Sequence, residues 1–289
     1  DVATHITLLD RAAAHEDVLE KLATGWDSWL QAQRNLAQAK RDLEKARAEE
    51  EWLRDAVEKL DLLAPVERPR KILGIGVNYA AHAAESVSFV DTKAPQVQKW
   101  FNKQATAANA PFGKVHLPRV SDQLDYEVEL VVVIGKHGRH VPRERAMDII
   151  AGFCVGCDYS VRDWQKASQT MIMGKGFDTH APFGPALVSP DEVADLSALQ
   201  LRSFVNGELR QTGHVRDMIH DIPAQIAHLT AAFTLEPGDL IFTGTPAGVG
   251  AAHTPPKWLK AGDRVRLEID EIGMIENEIV PEPEGMRIG

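Results

Sequence analysis

The chain has 289 residues, 44% of them hydrophobic and 26% charged, the balance of a folded domain or a domain with an appendage and not of a disordered chain. Its 32 basic and 42 acidic side chains leave a net charge of −10, which argues against a nucleic-acid surface, where a basic excess is needed. No apolar run approaches the roughly 20 residues of a membrane helix, the start shows no basic-then-apolar leader, and two cysteines are too few for a disulfide scaffold. The expectation is a cytoplasmic, reducing compartment, with neither membrane nor nucleic acid as partner.

From Trp26 to Leu63 the sequence holds no Gly or Pro and is dominated by Ala, Leu, Glu, Lys, Arg and Gln. These are strong helix formers. Trp29, Leu36 and Leu43 recur at seven, and Leu53, Val57 and Leu60 at four and three. The pattern predicts one long amphipathic helix, or two with a break near Ala46–Glu50. Such a helix is an appendage packing on the body or on a second subunit, or a partner-binding coiled coil. Pro65 and Pro69 close it, dividing the chain into a helical region, 1–68, and a second domain, 69–289.

Beyond the prolines, β-branched runs alternate with Gly/Pro turns: Lys71–Val77, Tyr126–Ile134, Leu201–Val205, Leu240–Thr243, Arg264–Ile269 and Met274–Val280. Helical patterns cover Tyr79–Ser86, Pro142–Ile149, Ser160–Ala167 and Ile222–Ala232. Strands outnumber helices without regular alternation, which predicts an α+β fold and not a doubly wound sheet.

Asp125–Gly135 carries the densest chemical signal. Glu127 and Glu129 lead into an apolar run, and alternation along a strand puts them on one face, about 7 Å apart. Two carboxylates there repel and are costly to desolvate unless a hard divalent cation lies between them or solvent reaches them. Gly152–Cys157 reads as a second strand ending at Asp158, which is either a third metal-ligating carboxylate or a helix cap. Arg162 follows one turn later and could clamp a substrate carboxylate bidentately. Cys154 and Cys157 form a lone C-x-x-C within a strand pattern, pointing to opposite faces as ordinary buried thiols.

His82 and Glu85 stand at i, i+3 on a short predicted helix, where a carboxylate can orient an imidazole, or where the two form a surface ion pair. Gly74-x-Gly76 lacks a third glycine and a βαβ context, so dinucleotide binding is not supported. Lys175 lies between two glycines that allow close approach to a ligand, and Gly244–Gly250 is a second turn cluster. Neither has the order of a nucleotide-triphosphate loop, and no Ser or Cys nucleophile signature is present.

Five motifs in this order are G-x-N-Y-x-x-H-x-x-E at Gly76–Glu85, D-Y-E-x-E-L at Asp125–Leu130, D-x-S-x-R-D at Asp158–Asp163, G-K-x-F-D-T at Gly174–Thr179 and G-T-P-x-G-V-G at Gly244–Gly250. Together the region from about Pro69 to Val280 resembles the fumarylacetoacetate hydrolase family. The resemblance implies a mixed β-roll catalytic domain, usually a homodimer, acting on a small oxo-acid. It implies Mg²⁺ (or Mn²⁺ or Ca²⁺) held by Glu127, Glu129 and Asp158, a catalytic dyad at His82 and Glu85, and an active-site lysine at Lys175. It places substrate contacts at Arg162, Gln165 and Thr245. The leading expectation is a hydrolase that cleaves a C–C bond in a 2,4-dioxo acid of acylpyruvate or fumarylpyruvate type. An oxaloacetate-type decarboxylase or a hydroxy-dienedioate isomerase is the alternative within the family, and a non-catalytic binding or assembly module the alternative of another class.

One stretch departs from the family's pattern: F-x-K-P is here Phe101-Asn102-Lys103-Gln104. The surrounding segment, Ser86–Gly113, is rich in small residues and is expected to form a weakly held lid and the substrate wall.

Overall fold

Helix α1 runs from Val2 to Glu58 without interruption. Of the two alternatives, one long helix or two with a break near Ala46–Glu50, the structure shows the first, because that stretch contains only good helix formers and no breaker. The chain is seen in a computed structural model that describes residues 2–58, 62–86 and 97–285. It divides into two compact units, Asp1–Asp61 and Leu62–Gly289. Among the described residues, no helix is long and apolar enough to cross a membrane.

In chain order the strands of the second unit are β1 (Ile72–Gly76), β2 (Lys99–Lys103), β3 (Ala108–Asn109), β4 (Val115–Leu117), β5 (Leu124–Asp125), β6 (Val128–Ile134) and β7 (Ile150–Cys157). They continue as β8 (Ser160–Val161), β9 (Ala181–Val188), β10 (Gln200–Val205), β11 (Glu208–His214), β12 (Leu240–Phe242), β13 (Arg264–Ile269) and β14 (Gly273–Pro281). Its helices are α2 (Ala80–Ser86), α3 (Arg162–Ala167), α4 (Ile172–Lys175) and α5 (Ile222–Ala232).

Among the described residues these strands make a seven-stranded sheet, ordered β2-β1-β12-β6-β7-β9-β3, and a five-stranded sheet, ordered β11-β10-β13-β14-β4. The first is mixed: β1 is parallel to β12 and antiparallel to β2, and β6 is antiparallel to both β12 and β7. This is the α+β architecture expected. Strand β6 is buried on both faces, which is why its sequence reads as a nearly unbroken apolar run. Val128, Leu130, Val132 and Ile134 join one core, while Val131 and Val133 join a second core with Ile72, Phe183 and Phe242. Each fully buried side chain of this size contributes about 1.5–3 kcal/mol relative to exposure. Cys157 packs in the first core and Cys154 in the second, so the two thiols do lie on opposite faces, free and buried. Burial pushes the Cys154 thiol up to about 12, where it is inert.

Strand β10 shows the half-buried alternative: Leu201, Ser203 and Val205 are buried and alternate with less buried neighbours. Helix α5 starts at Asp221, whose carboxylate accepts from the Ala224 amide, and buries Ile222, Ile226 and Leu229 on one face.

The lid expectation for Ser86–Gly113 needs correction. Residues 87–96 lie outside the described residues, but from Lys99 onward the chain is built into the main sheet. All five residues of β2 pair with β1, from Gly76↔Lys99 to Ile72↔Lys103. Phe101 is buried, and so is Ala107. Small side chains mark close approach here and not weak packing: a Cβ on Gly74 would come within 2.4 Å of the Phe101 ring. Strands β9 and β11 were also not legible, the first because Pro182 and Pro185 read as turns, the second because Glu208–His214 is polar throughout most of its length.

Candidate active site and metal centre

The β6–β7 ladder builds the centre of the site. Val128 pairs with Cys157 and Glu129 with Gly156, so Glu127 and Asp158 face each other one step beyond the ladder. The Asp158 amide donates to the Glu127 carbonyl at 3.0 Å and fixes that register. Residues directly opposite share a face, as do residues two apart on one strand. Glu127, Glu129 and Asp158 therefore converge, with one carboxylate oxygen from each lying within 4.8 Å of the others, all three buried.

Three cations surround these acids. Lys175 Nζ donates to Glu127 at 2.6 Å and also to Asp158. Lys103 Nζ donates to Asp158 at 2.5 Å and to the Tyr159 carbonyl at 3.0 Å. Arg162 donates from Nη2 to Glu127 at 2.7 Å, from Nε to Asp125 at 2.8 Å and from Nη1 to Gln165 at 3.0 Å. The guanidinium thus joins a carboxylate network as well as facing the cavity. Burial opposes ionisation of Glu127, but the Arg162 and Lys175 charges outweigh it and hold the carboxyl below its ordinary range. Glu129 differs. Burial, and then the charges of Asp158 and Glu127, push its carboxyl well above the ordinary range, with the Gly244 amide at 2.8 Å as an opposing donor. Burial opposes the charge on Lys175 too, yet Asp158 and Glu127 keep its ammonium favoured, whereas burial dominates at Lys103 and lowers it.

The dyad sits on α2. His82 Nδ1 lies 2.7 Å from Glu85 Oε1. A carboxylate only accepts, so Nδ1 is the nitrogen that carries a proton toward Glu85. Glu85 also accepts from the Gly248 amide, at 3.1 and 3.0 Å to its two oxygens. The loop after β12 therefore touches both halves of the site: Gly244 binds Glu129, and Gly248 binds Glu85. Gly244 has φ +100°, and a Cβ there would stand 2.6 Å from that of Asn78, so this turn needs glycine.

A cavity of about 500 Å³ opens over these groups. Of the predicted site residues, His82, Glu127, Glu129, Arg162, Gln165, Lys175 and Thr245 line it. Asp158 lies beneath, in the carboxylate cluster, and Glu85 stands behind His82. Thr245 is engaged on both sides: its hydroxyl donates to the Val128 carbonyl and accepts from Gln211 Nε2, each at 2.8 Å. Gly174 brings α4 against α3, where a Cβ would meet the Gln165 amide nitrogen at 2.3 Å, and this sets Lys175 beside Gln165 and the acids.

Sequence reasoning missed several participants. Lys103 and Gln211 are buried and joined to the network. Asp125 accepts from Arg162 and from the amides of Gly250 and Ala251, holding arginine and loop together. Lys99 and Lys166 line the cavity. The signal for Lys103 was its place two residues after Phe101 and four after Lys99 on one strand; nothing local marked Gln211.

The donor set fits a hard divalent cation. Three buried carboxylates offer oxygens only, an ammonium already bridges two of them, and the third, Glu129, is pushed toward its neutral form by burial and by the other two, which a divalent cation among them would reverse.

Residues 71–280 match the model of the fumarylacetoacetate (FAA) hydrolase C-terminal family. A mitochondrial oxaloacetate tautomerase, fahd2, of Xenopus laevis is 43% identical over 223 residues, 76% of this chain and 69% of that protein. The solved 5-carboxymethyl-2-hydroxymuconate delta-isomerase of Mycobacterium smegmatis is 36% identical with a TM-score of 0.67, covering 77% of this chain and 83% of that one. A fumarylacetoacetate hydrolase of Exiguobacterium antarcticum is 35% identical with a TM-score of 0.69, covering 76% and 78%. The first relative's compartment differs from the cytoplasmic one expected from this sequence.

Proposed function

The chain belongs to the fumarylacetoacetate hydrolase family, and from that premise we propose that it is a divalent-metal-dependent enzyme interconverting the keto and enol forms of a 2-oxo dicarboxylate such as oxaloacetate. The observation that carries the reading is the cavity: His82 and the carboxylate cluster share it with Arg162 and two further cations, Lys99 and Lys166. One carboxylate with its 2-oxo group suits the metal end, and the second carboxylate suits the lysines. The relatives named as a tautomerase and an isomerase support proton transfer at carbon over the C–C hydrolysis expected first.

Glu127, Glu129 and Asp158 would hold the cation, Mg²⁺ or Mn²⁺ by donor chemistry. Such an ion supplies Lewis acidity toward the carboxylate and 2-oxo oxygens of the substrate. His82 Nε2 takes the C3 proton while Glu85 holds Nδ1–H and so the ring's orientation. The electron pair left by that C–H bond forms the C2–C3 double bond as the C2=O π pair moves onto oxygen, and the oxygen at C2 then takes back the proton held on His82 Nε2, directly or through solvent, to give the enol. Lys175 favours negative charge at that oxygen, and Arg162 and Gln165 position the substrate. The proposed assembly of this unit is a homodimer.

A direct test follows the ultraviolet absorbance of the enol as oxaloacetate equilibrates, with acetylpyruvate and fumarylpyruvate as hydrolytic substrates in parallel. Acceleration of enol decay by the metal-loaded enzyme, without product acids or CO₂, is the expected result. Hydrolysis of the acylpyruvates with no effect on enol decay overturns it in favour of the hydrolase.

A further inference from the structure

Helix α1 presents an exposed apolar seam. Trp29, Leu36 and Leu43 are 48%, 57% and 53% exposed, on a helix whose other described residues from Thr24 to Glu50 are exposed as well, apart from a partly buried Leu30. Ala32, Ala39 and Ala46 follow each of them at three residues. Alternating spacings of three and four bring these six positions onto one stripe of the continuous helix, with the large residues at a and alanine at d of a heptad. The stripe is broken by Glu50 at the next a position, and Leu53 and Val57 take d and a again in the sequence.

The flanks of the seam identify what covers it. Lys40 and Arg47 occupy the e positions on one side, and Asp42 and Glu49 the g positions on the other. All four side chains are exposed. In a parallel pair of identical helices, each g flank faces the partner's e flank five residues on, so Asp42 faces the partner's Arg47, and Asn35 the partner's Lys40. In an antiparallel pair like flanks meet, acid on acid and base on base. We infer that α1 is a self-association element, pairing in parallel and in register with α1 of a second copy through the Trp29–Ala46 seam. Alanine at d lets the two helices approach closely, and the acid–base asymmetry of the flanks sets orientation and partner. This rests on α1 alone and is independent of the catalytic reading.

Cysteine cross-linking in the full chain tests it, since the native Cys154 and Cys157 are buried. Leu36→Cys and Leu43→Cys are made singly, with Gln38→Cys on the outer face as control, and each is treated with a mild oxidant over a dilution series. Residues at a meet their own copies in a parallel, in-register pair, so both seam variants should run as covalent dimers and the control should not. Reversing Asp42 to lysine should slow the cross-link about tenfold at low salt, because it sets lysine against the partner copy's arginine at 47 on both sides of the pair, and adding Arg47→Glu should restore it. A covalent dimer at only one seam position means an antiparallel pair; a dimer at neither, or equally at the control, means that no second copy covers the seam. Either result overturns the inference.

Discussion

Glu85 Oε1 lies 2.7 Å from His82 Nδ1, and the same carboxylate accepts from the Gly248 amide at 3.0 Å. The dyad is therefore anchored to the loop that also binds Glu129, so the proposed base and the carboxylate cluster share one support. Glu85→Gln keeps a hydrogen-bond acceptor but removes the charge, and His82→Gln removes the base. Both should lower kcat by about 10²–10⁴-fold with a small change in KM. Steady-state kinetics on oxaloacetate enol decide this, and wild-type turnover in the His82 variant would remove the dyad from the mechanism.

Glu129 is the carboxylate with the least cationic compensation. Glu129→Gln should raise the melting temperature of the metal-free protein by about 2–4 °C, equivalent to roughly 1 kcal/mol. Wild-type protein at a hundredfold excess of Mn²⁺ over its dissociation constant should gain about 2.7 kcal/mol, and the variant should lose most of that gain. Equal thermal shifts on adding metal would show that the carboxylate cluster is not the site.

Burial lowers His180 to about 3; its Nε2 donates to the His116 carbonyl at 2.8 Å, while its buried Nδ1 has no hydrogen-bond partner among the described residues. The unfolded chain takes up this proton near pH 6.5 and the folded protein does not, so the unfolded state binds more protons between the two values. The resulting stability is complete above about pH 6.5 and falls as pH drops toward 3, with about 2 kcal/mol gone by pH 5. Urea unfolding from pH 7 to 5 should show that loss in the wild type and a shallower slope in His180→Gln. Parallel slopes would contradict it.

Gly244→Ala places a Cβ 2.6 Å from Asn78 Cβ at a residue with φ +100°. Destabilisation by about 2–4 kcal/mol is expected, together with weaker metal binding because the Gly244 amide is displaced from Glu129. A stability change under 0.5 kcal/mol would mean that the loop relaxes freely.

Lys99 and Lys166 line the cavity; a Lys99→Ala/Lys166→Ala double variant should raise KM for oxaloacetate by about tenfold, the order of one surface-exposed ionic contact or two, and leave a monocarboxylic 2-oxo acid nearly unaffected. Equal effects on both substrates would place the second carboxylate elsewhere.

Local chemistry made much of this molecule readable in the sequence. The absence of Gly and Pro from Trp26 to Leu63 dictated the long helix, the apolar run after Glu129 dictated a strand buried on both faces, and the i, i+3 spacing of His82 and Glu85 brought imidazole to carboxylate. Other features depended on partners distant in the chain. Asp158 became a third carboxylate of the cluster because the β6–β7 register sets it opposite Glu127, a relation 31 residues long that no local pattern records. Lys103 reaches Asp158 across 55 residues, and Gln211 reaches Val128 and Thr245 only because β11 borders the second sheet. A short-range pattern reports propensity and spacing, which are properties of neighbouring residues; a buried charge network is assembled by ladder register and close packing between strands, and the physical requirement that every buried charge find a partner acts only once the chain is folded.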